Sequence, residues 1–109
     1  MKKALYLVME NTPKAHETLE ALKANGYNAT LLNAESLRHA LDDEPADHHF
    51  INLRHLENLE DKESALCIFI LDEEKVAHVK QLILDTTDHF KEPKGFYFVI
   101  PLDDYYGSI

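Results

Sequence analysis

Histidines and carboxylates crowd one stretch of the chain, and they are the first residues whose types suggest chemistry. His39, His48, His49 and His55 lie among Asp42, Asp43, Glu44 and Asp47. Imidazole and carboxylate together suit zinc, nickel or copper. The spacing argues the other way. Adjacent histidines on a strand point to opposite faces, and no two histidines stand four apart, as one helix face would need. A solvated polar loop is the plainer reading, with His48, His49 and His55 as the alternative metal ligands. The run Asp42 to Asp47 also lacks the glycine and the closing Glu of a calcium loop.

Nucleophilic chemistry has less to work with. Ser36, Ser64 and Ser108 stand in no nucleophile motif, and three glycines leave no material for a phosphate-cradling loop. Cys67 is the single cysteine, which excludes an intrachain disulfide and any Cys-based zinc site. It lies inside the apolar run Ala65 to Leu71, so a buried, inert thiol is expected. Hydrolysis has no visible machinery, and a noncatalytic protein without a cofactor is expected. Tyr105 and Tyr106, with Phe96 and Tyr97, could offer stacking surface to a nucleobase. The plainer reading packs these rings at the end of a sheet or in a subunit contact.

The whole chain sets bounds on partners. Its 109 residues make one domain, 1–109. Eleven basic against twenty acidic side chains leave a net charge of −9, which disfavours nonspecific binding to nucleic acid. The apolar run after Lys2 and Lys3 ends at Glu10, too short for a secretory core, and no run approaches a membrane span. A soluble cytoplasmic protein is expected.

Several elements must position the candidate residues. Ala4 to Met9 is apolar on both faces and predicts a buried strand. Thr12-Pro13 opens a helix, with Ala15, Leu19 and Leu22 on one face, and Asn25-Gly26 ends it. Tyr27 to Asn33 predicts a second, more polar strand. Glu35 to Glu63 carries nine acids against Arg38, Arg54 and Lys62 and predicts a long, partly mobile connection. Ala65 to Leu71 is the most apolar run and predicts a central strand. Asp72 is placed to cap the next helix, whose apolar stripe runs Val76, Val79, Leu82, Ile83 and Phe90. Phe96 to Ile100 predicts the last strand.

Strand-helix-strand, long loop, strand-helix-strand is the ferredoxin-like α+β order, βαββαβ. It predicts an antiparallel four-stranded sheet with two helices on one face. Strands one and three would be central. Strand four would be an edge, yet FYFVI is apolar on both faces, so cover by another subunit is expected.

Four segments resemble the P-II-like signal-transduction superfamily, which includes the nitrogen regulatory proteins, and within it the cyclic-di-AMP receptor proteins of Gram-positive bacteria. KKALYLVME resembles the first strand, and GYNATLL the family's aromatic-x-Ala-Thr strand, placing Thr30 at the family threonine. LDEEKVAHVKQLI resembles the second helix start, and FVIPLDDYYG the closing strand with its Pro-x-Asp and aromatic residue. The resemblance implies a homotrimer that binds a nucleotide-class small molecule in subunit clefts near the 35–63 loop, which in turn engages a protein partner. It implies ligand contacts from Thr30, Leu37, Arg38, Asp103 and Tyr105. The family's glycine pair before Leu37-Arg38 is replaced by Glu35 and Ser36, and an acidic stretch follows. Carboxylates there would repel a ligand with two phosphates, so weak binding of cyclic-di-AMP is expected. The rival reading is a CutA-like metal-binding trimer using the loop histidines.

Overall fold

Each apolar run becomes a strand, because extended backbone sends alternate side chains to opposite faces and both faces here can be apolar. The computed structural model describes residues 1–34 and 64–108. The elements are β1 (Lys2–Glu10), α1 (Pro13–Ala24), β2 (Thr30–Ala34), β3 (Ser64–Asp72), α2 (Glu73–Thr86) and β4 (Gly95–Pro101). The strands form one sheet in the order β2-β3-β1-β4, with every neighbouring pair antiparallel. This is the ferredoxin-like arrangement expected from the element order, with β1 and β3 central. The 35–63 connection, and with it Leu37, Arg38, His48, His49 and His55, lies outside the described residues.

The register fixes which side chains share a face. Lys2 pairs with Asp72 and Glu10 with Ser64 across β1 and β3, and Lys3 pairs with Pro101 and Met9 with Gly95 across β1 and β4. Leu5, Leu7 and Met9 therefore share a face with Cys67, Phe69 and Leu71, and there they meet Ala15 and Leu22 of α1 and Val79 and Ile83 of α2. That face is the core. Gly95 is required where it sits, because a Cβ there would collide with the Val8 carbonyl.

Among the described residues, no helix packs on the opposite face. Tyr6 and Val8 of β1, Leu66, Ile68 and Ile70 of β3, and Phe96, Phe98 and Ile100 of β4 occupy it, half-buried or exposed. Tyr6 and Phe98 stack, with ring centroids 4.8 Å apart. The apolar surplus noticed in FYFVI thus belongs to a face rather than to an edge. Tyr97 and Val99 turn toward the core, and Phe96, Phe98 and Ile100 turn away from it.

The helix ends show where local rules hold and where they are overridden. Thr12 caps α1, its Oγ1 accepting from the Ala15 amide at 3.1 Å, and Gly26 takes φ +87° just past the C-terminus. Asp72 occupies the N-cap of α2, but its side chain makes no capping bond. The second strand starts at Thr30, not at Tyr27, because Tyr27 is drawn out of line: its hydroxyl meets His78 Nδ1 on α2 at 2.6 Å. The apolar stripe of α2 does not reach Phe90 on a helix. α2 stops at Thr86, and Asp88, His89 and Phe90 follow with φ of 51°, 57° and 63°. Thr87, fully buried, holds this left-handed turn. Its Oγ1 donates to Ile83 O at 2.7 Å and accepts from the Phe90 amide at 3.0 Å. Phe90 still packs on the core, brought there by the turn.

Candidate functional site

The chain leaves β4 at Pro101 and bends back toward the other strands. The Leu102 amide donates to Lys2 O at 3.1 Å, which pins the tail to the start of β1. The tail then forms walls of two clefts, one on either side of Lys2 and Tyr105. The first, of about 260 Å³, runs from Lys2 and Ile70 to Gly26, Asn28 and the Tyr105–Ser108 end of the tail. The second, of about 290 Å³, is bounded by Met1, Lys2, Leu102, Asp103, Asp104 and Tyr105. A third pocket, of about 230 Å³, is apolar and lies on the helix side between α1, Leu31 and Phe69.

The two tail clefts differ in charge. Among the described residues Lys2 is the only charged side chain lining the first, whereas Asp103 and Asp104 both line the second. Asn28, Tyr105 and Ser108 give the first cleft amide and hydroxyl groups. Lys2 stands between the clefts and donates from Nζ to Asp72 Oδ1 at 2.7 Å. The bond to Lys2 holds the Asp72 carboxyl below its ordinary pKa, and the same bond raises the Lys2 ammonium above its own. Lys3 lies 3.7 Å from Glu73.

Asp103 and Tyr105 are brought together with Lys2. Thr30 opens β2 opposite Ile68, exposed, two residues beyond Asn28, and it lines none of the three cavities. Tyr106 is fully exposed. Sequence reasoning missed Lys2 and Asn28. Lys2 read only as a charge before a strand, and its partner sits seventy residues away at the far end of β3. The antiparallel register, invisible locally, makes them neighbours. Among the described residues no group of three or more His, Cys, Asp or Glu side chains is placed to hold a metal ion.

The fold is the ferredoxin-like one that the element order led us to expect. The sequence matches no protein-family model and resembles no curated protein, but solved structures share its fold. The structure of CPII bound to ADP, AMP and acetate, from Thiomonas intermedia K12, superposes with a TM-score of 0.55 at 19% identity, over 90% of this chain and 82% of that one. CPII bound to ADP and bicarbonate, from the same organism, gives 0.52 at 19% identity, over 91% and 83%. A protein of unknown function from Pediococcus pentosaceus ATCC 25745 gives 0.62 at 12% identity and covers 99% of both chains.

Proposed function

We propose that this chain is a noncatalytic P-II-like regulatory protein. It assembles as a homotrimer, takes a nucleotide-class small molecule at its subunit clefts and acts on a protein partner through the 35–63 connection. The apolar face of the sheet that no described residue covers is the observation that carries this reading. Soluble proteins rarely leave so continuous an apolar surface to water, and such a face marks an interface. Three copies meeting through these faces would bring the tail of each protomer close to its neighbours. Support for the ligand class comes from CPII, which shares the fold and is described as bound to ADP. Thr30, Leu37, Arg38, Asp103 and Tyr105 remain the residues assigned to the ligand by resemblance. Within the described residues no helix is long and apolar enough to cross a membrane.

The test is a native mass measurement with a thermal-shift panel of ATP, ADP, AMP, cyclic-di-AMP, zinc and copper. A trimer whose melting temperature rises with an adenine nucleotide supports the reading, with cyclic-di-AMP the weakest of the nucleotides. A rise with zinc or copper alone replaces it with the CutA-like reading and its loop histidines. A monomer of 12.6 kDa overturns the assembly.

A further inference from the structure

We propose that Lys2 is the anion-holding residue of the first tail cleft and that Asp72 is its built-in competitor: a ligand phosphate takes the Lys2 ammonium, and the released Asp72 carboxylate turns to cap α2. This rests on the reading of the cleft as a ligand site and names its recognition chemistry.

Three observations converge on it. Among the described residues Lys2 is the only charged side chain lining the first cleft, whereas Asp103 and Asp104 both line the second, so the anion is assigned to the first. Lys2 is only half-exposed and already engaged, at 2.7 Å from Asp72. Asp72 stands at the N-cap of α2 with extended φ and ψ of −67° and 144°, the backbone geometry of a capping residue, yet its side chain bonds no helix amide. The Glu73 amide is taken by Met1 O at 3.0 Å, which leaves the Glu74 and Lys75 amides as those an Asp72 cap would reach. Thr12 shows what an engaged cap looks like on α1, bonded to the amide three residues on. Asp72 therefore has two partners within reach, an ammonium and a helix end, and holds the first.

Exchange between them needs little reorganisation. The phosphate replaces one charge-assisted bond to Lys2 with another. Asp72 replaces its ammonium with backbone amides at the positive end of the helix dipole, a favourable place for a carboxylate. Asn28, Tyr105 and Ser108 supply neutral polar contacts for the rest of the ligand. The acids nearest the exchange, Glu73, Glu74, Asp103 and Asp104, penalise a second negative group. The site thus favours a ligand that presents a single phosphate chain toward Lys2 over one with two separated phosphates.

The experiment titrates the full chain with sodium tripolyphosphate and with ADP, in parallel, by calorimetry at low salt. Wild type, Lys2→Gln and Asp72→Asn are compared. Asn keeps the capping ability of Asp and removes the charge that holds Lys2. Lys2→Gln is expected to weaken both ligands about tenfold, as loss of a charge-assisted bond does. Asp72→Asn is expected to tighten both roughly two- to fivefold, the value of an exposed ion pair removed from competition. In amide spectra, Glu74 and Lys75 shift on ligand addition in wild type and not in Asp72→Ala. ADP binding that ignores both substitutions overturns the exchange and leaves the nucleotide reading standing. Tripolyphosphate binding that follows Lys2 and Asp72 while ADP fails to bind keeps the exchange and overturns the nucleotide reading. Binding of neither ligand overturns both.

Discussion

The two faces of the sheet are built from the same residue types and meet opposite fates. On one, Leu5, Leu7, Met9, Cys67 and Phe69 are sealed under α1 and α2. On the other, Tyr6, Val8, Ile68, Phe96 and Phe98 have no helix over them among the described residues, and Phe98 is 46% exposed. Composition does not separate them, since both are runs of large apolar side chains on the same three strands. Chain connectivity does. Both crossovers, β1 to β2 through α1 and β3 to β4 through α2, pass over the same side of the sheet. The covered face holds the monomer together, and the other is the face through which the proposed assembly would form.

Substitutions on either face should separate these roles. Phe69 is 1% exposed at the centre of the covered face. Phe69→Ala should cost about 3–5 kcal/mol in urea unfolding, from lost burial and a residual cavity. A cost under about 1 kcal/mol would mean that this face is not the core. Phe98→Lys, on the other face, should lose at most about 1 kcal/mol within the monomer, the value of its stack on Tyr6. Its larger effect should appear in light scattering, which should fall to the single-chain mass of 12.6 kDa while circular dichroism stays native. An unchanged assembly would move the contact off this face.

Cys67 reports on the covered face through pH. Burial pushes its thiol from an ordinary 9.0 up to about 11. Between those values the unfolded chain loses the proton first, so it binds fewer protons than the native chain. Stability should then fall as pH rises from about 9 toward 11, by up to ~1.4 kcal/mol per unit. Cys67→Val should remove that slope from urea titrations across the same range. The smallest effect belongs to the helix that covers the face. Thr12→Ala should cost about 1 kcal/mol, because it removes a bond that caps α1. Asp72→Ala should cost less than that as a cap, because Asp72 makes no capping bond. Equal losses at the two positions would place Asp72 on the helix rather than on Lys2.

Much of this architecture was legible in the sequence, and particular residues show why. Ala4 to Met9 and Ala65 to Leu71 announced the central strands because only strands with both faces apolar need such runs. Thr12-Pro13 and Asn25-Gly26 bounded α1 because capping and left-handed turns are local chemistry. Phe90 was misplaced on α2 because its spacing suits a helix. The left-handed turn at 88–90 depends on Thr87 closing it from a buried position. Of the candidate site, Asp103 and Tyr105 were readable from the closing segment, and Lys2 and Asn28 were not.

Local pattern by itself determined the element types, their order and the pairing of an apolar strand with an amphipathic helix, because each depends on residues within a turn or two. Tertiary structure decided everything that joins distant residues. It set which face the helices cover, that the surplus apolarity of β4 lies on the open face, and that Lys2 meets Asp72 rather than solvent. The physical reason is register. In an antiparallel sheet a shift of one residue would turn every side chain to the other face, and only the packing of the helices on Leu5, Leu7, Cys67 and Phe69 holds the alignment that brings Lys2, Asp72 and Tyr105 into one place.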